Sequence, residues 1–166
     1  ARKVVIDRAN PHRHSVAIDM RDASSMRLLR AEILGADIGV RIREGSIDFI
    51  GTNLTFHHHT RDGLVIEGAS HGADLSVIDA FANGRHGIFV DSRLDFIRQS
   101  KSYDNGQTGF ALRSVGAAVV ESSEAYCTLL PGALCQIRGI DIINPGAGRA
   151  IVGNSNLAAA LGNKVH

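Results

Sequence analysis

The sequence predicts a right-handed parallel β-helix, an all-β solenoid of about six coils of 22–24 residues. Three observations predict it. A small residue, usually Gly, followed by an apolar-x-apolar triplet recurs down the chain; the triplets alternate with period two, as strands do; and a second column, rich in aromatic residues, repeats in step with the first.

The triplets are Ser15-Val16-Ala17-Ile18, Gly39-Val40-Arg41-Ile42, Gly63-Leu64-Val65-Ile66, Gly87-Ile88-Phe89-Val90 and Gly109-Phe110-Ala111-Leu112, with a weaker copy at Gly132-Ala133-Leu134-Cys135. Their steps are 24, 24, 24, 22 and 23 residues. Period two sends Val40 and Ile42 one way and Arg41 and Arg43 the other. Each coil carries further apolar stretches, namely Ile47 with Phe49, Leu54 with Phe56, Leu75 with Val77 and Leu94 with Phe96, so about three strands per coil are expected. A leucine-rich repeat would need its Leu-x-x-Leu-x-Leu signature, which is missing. Helical repeats need a sustained spacing of three and four that only Met26 to Leu34 approaches.

Six residues before each Gly stand Ile33, His57, Phe81, Tyr103 and Tyr126. Rings one strand spacing apart, about 4.8 Å, can stack and tie successive coils together. Four before the Gly stand Gly35, His59, Asn83, Asn105 and Thr128, a turn column in which Asn tolerates left-handed geometry and bonds to its copy in the next coil.

With 166 residues the chain is one domain, and the strand-like Val4-Val5-Ile6 close behind Ala1-Arg2-Lys3 suggests a fragment of a longer solenoid without a polar cap. A formal charge of +1 provides no field for nucleic acid, and no apolar run of about 18 residues points to a membrane span. Cys127 and Cys135 are expected as two buried thiols, a single pair being too few for a disulfide scaffold. Nothing matches a P-loop, a calcium-binding Gly-rich repeat or a nucleophile elbow, so no cofactor is expected. His57-His58-His59 invites a metal reading, but successive strand residues diverge, and no metal site is expected there.

A charged ladder follows the repeat on the outer face: Asp19, Arg43, Glu67, Asp91, Arg113 and Gln136. Glu67 and Asp91 on adjacent coils would lie about 4.8 Å apart and ionise poorly together, leaving one able to act as acid or base. Arg43 and Arg113 flank them as holders of carboxylates. The plain alternative is a solvated ladder of ion pairs, each worth about 0–1 kcal/mol. Turn residues before the triplets point to the same edge: Arg13-His14, Arg61-Asp62, Arg85-His86 and Gln107-Thr108. His86 is the natural proton-transfer group among them. The candidate site is thus Glu67, His86 and Asp91 as catalytic residues, with Arg43, Asp62, Arg85 and Arg113 as substrate-binding residues.

Thr52-Asn53-Leu54-Thr55-Phe56, Phe81-Ala82-Asn83-Gly84-Arg85-His86-Gly87, Leu94-Asp95-Phe96 and Tyr103-Asp104-Asn105-Gly106 together resemble the catalytic module of mannuronan carbon-5 epimerases, pectate-lyase-like β-helices acting on alginate. The resemblance implies proton abstraction at carbon 5 of a uronate, or elimination as in the lyase relatives. It places Glu67 where the family has a groove Asp and His86 where it has a groove His. Where the family has Asp-Pro-His, one coil before Glu67, this chain has Arg43-Glu44-Gly45; Asn10-Pro11-His12 is a variant of that signature two coils upstream.

The expected function is binding and modification of an acidic polysaccharide, outside the cell or on a cell or virion surface. The alternative is a non-catalytic rod, as in a phage tailspike or adhesin, assembled as a trimer and marked by apolar outward residues such as Val65, Phe89 and Leu134.

Overall fold

The computed structural model describes residues 4–7, 15–93, 95–113, 118–128, 131, 134–142, 150–153 and 164–165. Arg13-His14, Asn10-Pro11-His12, Leu94, Gly132 and Ala133 lie outside them. The described residues form an all-β, right-handed parallel solenoid.

Two parallel sheets run its length. Sheet 1 stacks Val16–Arg21, Ile38–Arg43, Asp62–Ile66, His86–Val90, Thr108–Leu112, Arg138–Ile142 and Lys164–Val165. Sheet 2 stacks Val4–Asp7, Arg27–Leu34, Ile50–His57, Asp74–Phe81, Asp95–Arg98, Ala118–Glu121 and Ala150–Gly153, with Lys101–Tyr103 and Glu124–Tyr126 continuing its second half. Every strand pairs with its copy one coil away, so each coil closes before the next begins.

Sheet 2 is folded along a column of left-handed residues: Arg30, Asn53, Val77, Gln99 and Ser122, all with φ between 49° and 56°. This bend gives each coil the three faces that the apolar stretches predict. It also breaks the period-two pattern. Leu75 is buried but Val77, at the bend itself, is 46% exposed. Val77 is β-branched, for which positive φ is strained. In the next coil Asp95 and Ile97 face inward and Phe96 outward, opposite to the expected pairing of Phe96 with Leu94.

The core is a continuous column in which Val40, Ile42, Leu64, Ile66, Ile88, Val90, Phe110 and Leu112 from sheet 1 meet Ile33, Leu54, Phe56, Leu75, Ile78 and Ile97 from sheet 2. Each such side chain, fully withdrawn from water, contributes about 1.5–3 kcal/mol before entropy is counted. The glycines that open the triplets are required by the corner. A Cβ on Gly87 would overlap Ser102 Oγ and approach Gly109 O to 3.0 Å, so only hydrogen fits.

Two registers differ from expectation. Ile18, not Val16, lies opposite Val40, because the first coil is shorter than the second by one residue on each side of its sheet 2 strand. The last triplet is Gly139-Ile140-Asp141-Ile142, with Ile140 opposite Phe110, rather than Gly132-Ala133-Leu134-Cys135. The corner between Tyr126 and Arg138 is longer than its counterparts, and a Cys127–Cys135 disulfide, Cα–Cα 5.2 Å, closes it. The expected pair of buried thiols is therefore a bond, made possible because the lengthened corner folds back on itself.

The aromatic column is present, with His57, Phe81, Tyr103 and Tyr126 stacked at 4.8–5.0 Å and 2–9° between planes. Leu34, not the inward Ile33, occupies its first position. The turn column runs through His59, Asn83 and Asn105 and ends at Gln136 instead of Thr128. Asn83 Nδ2 donates to Asn105 Oδ1 (2.9 Å) and Asn105 Nδ2 to Gln136 Oε1 (3.3 Å). At its start His59 Nδ1 accepts from the Ala36 amide (3.2 Å), in the place expected for Gly35, and Nε2 donates to Ile33 O (3.0 Å). These bonds satisfy the corner's buried polar groups.

Candidate functional site

The corner that feeds sheet 1 puts Asp62, His86, Thr108 and Arg138 at one level of successive coils. Asp62 is fully buried. Its Oδ1 accepts from Arg85 Nε (2.9 Å) and the His86 amide (3.2 Å), and its Oδ2 from Arg85 Nη2 (2.5 Å). Asp62 thereby holds Arg85 and the start of the His86 strand, and it reaches a ligand only through them. The fork of hydrogen bonds to Asp62 raises the Arg85 pKa further.

His86 is 8% exposed and stacks on Phe89, centroids 5.7 Å apart. Burial pulls its pKa down to about 4; the Asp62 charge opposes this, while Arg85 and Arg113 add to it. The imidazole is therefore neutral at neutral pH. Its Nδ1 is buried without a hydrogen-bond partner.

Around it opens a cleft of about 320 Å³, lined by Arg85, His86, Gln107, Thr108, Arg113, Ile137, Arg138 and Asp141. Asp141 Oδ2 accepts from Arg138 Nη1 at 2.7 Å, whereas Asp141 Oδ1 is buried and unpartnered. Buried polar groups are nearly always satisfied, and exceptions call for a bound partner or a chemical role. Arg113 is exposed, rests 5.6 Å over the Phe89 ring, and has no carboxylate partner among the described residues. The cleft can therefore accept an anion, and it offers a neutral imidazole beside it.

Of the residues expected from sequence, the structure brings His86, Arg85 and Arg113 into the cleft, with Asp62 behind them. Asp91 stands one coil before Arg113 on the ladder, its strand bonded to it through the Arg113 amide and Val90 O. Glu67 and Arg43 lie further along. Arg41 Nε donates to Glu67 Oε1 (2.6 Å), and Arg43 makes two bonds to Asp19 (3.0 and 2.9 Å). Gln136, expected at the end of this ladder, is buried in the turn column. Sequence reasoning passed over Arg138 and Asp141, although Gly139-Ile140-Asp141-Ile142 is itself a Gly-led triplet that would have marked them.

The three consecutive histidines are separately engaged. His57 Nε2 meets Glu32 Oε1 at 2.9 Å and its Nδ1 meets His58 Nδ1 at 2.6 Å, while His59 is bound into the turn column and its pKa falls to about 4, chiefly through burial. A second depression of about 240 Å³ lies on the sheet 2 bend, lined by Asn53, Leu54, Thr55, Val77, Ile78, Asp79, Gln99 and Lys101.

Coils of three faces, a glycine-led corner and a buried amide ladder define a pectate-lyase-like right-handed parallel β-helix. Among solved structures the chain is similar to pectate lyase Pel9A, with a TM-score of 0.52 and 17% sequence identity, over 78% of this chain and 40% of that one. At that identity the likeness establishes the fold, and the chain spans less than half of the lyase. No protein-family model and no curated protein matches the sequence.

Proposed function

We propose that this chain binds an acidic polysaccharide along the outer face of sheet 1 and acts on a uronate held in the cleft by moving the proton at its carbon 5. The observation that carries the reading is the cleft itself: the unpaired guanidinium of Arg113 next to the imidazole of His86, whose Nδ1 has no partner in the fold. A proton alpha to a carboxylate becomes acidic only when the developing enolate charge is neutralised and a base stands by. Arg113 supplies the first requirement, with Arg85 and Arg138 beside it, and His86 the second. A bound uronate offsets the arginine field that lowers the His86 pKa, so ligand binding makes His86 a better base. Asp91 is the acid-base partner from the neighbouring coil; Glu67 and Arg43 extend the ladder as an ion-paired track. Return of the proton to the other face gives epimerisation, and loss of the substituent at carbon 4 gives elimination.

The Cys127–Cys135 bond suits an oxidising compartment, which supports placement outside the cell.

The test is incubation with a panel of acidic polysaccharides, following unsaturated ends by ultraviolet absorbance and epimerisation by proton NMR. A new signal in either channel establishes the activity and separates the two reactions. Silence across the panel, with binding also absent from a folded sample, removes the reading.

A second reading, a non-catalytic rod, rests on Leu29 and Phe96, exposed on sheet 2, and on Met26, exposed just before it. Light scattering that gives a stable trimer without glycan binding would favour it.

A further inference from the structure

Resting on the acidic-polysaccharide reading, we infer that the preferred glycan carries isolated uronates separated by uncharged sugars, rather than an unbroken run of uronates. The charge arrangement on sheet 1 points to it. Its arginines are nearly all matched: Arg41 by Glu67, Arg43 by Asp19, Arg85 by Asp62 and Arg138 by Asp141. Arg21 shares Asp19 with Arg43, so among the arginines of this face whose side chains are described Arg113 is the one without a carboxylate partner.

One coil away from Arg113 the same ladder position is Asp91, and one coil further stands Glu67, whose charge Arg41 already matches. A sugar in an extended chain spans roughly one coil spacing, about 4.8 Å, so the sugar next to a uronate seated on Arg113 lies over Asp91, and the one after that over the already paired Glu67. A second uronate over Asp91 meets like charge, which an interface uses to reject a wrong partner. An uncharged sugar meets acceptors for its hydroxyl or amide hydrogens, because Asp91 has no side-chain partner among the described residues. Beside this track run Val65, Phe89 and Ala111, in register on successive coils. Val65 and Ala111 are nearly closed to water, so half-buried Phe89 is the part of this strip that a ligand reaches, and its ring suits the face of a neutral sugar better than a carboxylate. The face is thus built as one anion seat bordered by acceptors and an apolar strip.

The experiment is calorimetric titration of the chain with length-matched oligosaccharides of hyaluronan, in which every second sugar is a uronate, and of polygalacturonate and polymannuronate, in which every sugar is. The expected result is an affinity for the alternating oligosaccharide at least about tenfold above both homopolymers, with a shallow salt dependence from a single ionic contact. Arg113→Gln, an exposed change, should remove most of that affinity. Asp91→Asn should narrow the preference by improving homopolymer binding. Equal or tighter binding of either homopolymer by the parent chain overturns this inference and leaves the acidic-polysaccharide reading intact. Absence of binding to all three, with the strand spectrum by circular dichroism intact, sinks both.

Discussion

His86 and Asp141 line the same cleft from coils two apart, and each leaves one buried atom, Nδ1 and Oδ1 respectively, without a hydrogen-bond partner. Neither atom is satisfied within the fold. The two residues stand on opposite flanks of the Arg113 coil, and His86 feels the Asp141 charge as an upward influence on its pKa.

If His86 is the base, kcat/KM toward a responsive glycan should fall as pH drops through about 4, where the free imidazole takes up a proton, and kcat should fall at a higher pH. His86→Asn should lower kcat by about 10²-fold or more with little change in KM. A purely structural role would instead lower the melting temperature and leave the pH profile of the residual activity unchanged. In NMR titrations the His86 resonance should move to a higher pKa when a uronate oligosaccharide binds.

Asp62 acts on the cleft through Arg85. Asp62→Ala strips a buried carboxylate from a two-pronged pair and leaves the His86 amide without its acceptor. A stability loss of about 3 kcal/mol in urea denaturation is expected, near the lower end for broken buried pairs, since Arg85 is one third open to water. Glycan affinity should fall with it, because Arg85 is no longer aimed.

Asp95 is a buried acid whose pKa is lifted to about 6 by burial, although it accepts hydrogen bonds from Ser92 Oγ and the Ala73 amide. A raised carboxylate pKa means that the folded state holds the proton more tightly than the unfolded chain. Its contribution is fully present below pH 3.8 and is lost as pH rises through about 6. Asp95→Asn, which keeps an acceptor for Ala73, should therefore raise the melting temperature at pH 7–8, by up to about 3 kcal/mol in stability, and make it less dependent on pH. A lower melting temperature at pH 8 would show that the charged form is the stabilising one.

His59 works in the opposite sense. Its pKa is pulled down to about 4, so the unfolded chain binds the proton more readily, and stability is lost as pH falls from 6.5 through 4. His59→Asn continues the amide ladder of Asn83 and Asn105 and should weaken the loss of stability on acidification over that range. Thermal melts at pH 4.5 and 7 test this, and an unchanged difference between them would count against it.

Reduction of the Cys127–Cys135 bond, or the double change to Ser, should cost about 2–3 kcal/mol for a loop of this length. It should also weaken glycan binding, because the next residues, Gln136 to Arg138, end the amide ladder and form one wall of the cleft. Unchanged affinity after reduction would show that the ladder alone positions Arg138.

Periodicity, a local property, is what the residues settled unaided. The alternation in Gly39-Val40-Arg41-Ile42 and its copies follows from side chains that must face either a core or water, and it specified coil, strand and inward face for the central coils. The stacked rings and the amide ladder were legible for the same reason, since each depends only on a residue recurring at one level of a repeat. His86, Arg85 and Arg113 were legible as a group because they flank those repeats. What the tertiary structure decided was everything that depends on corner length and on partner choice. Shorter corners shifted the first coil against the second, a longer one displaced the last triplet to Gly139 and brought Arg138 and Asp141 to the cleft, and a left-handed bend turned Val77 outward. Arg43, Glu67, Asp91 and Arg113 could be read off in order, but not that Arg21 rather than Asp19 stands level with Arg43, that Gln136 turns inward, or that Arg41 takes Glu67 and Arg113 is left unmatched. Such pairing is fixed by side-chain reach across neighbouring coils, which no spacing along the chain records.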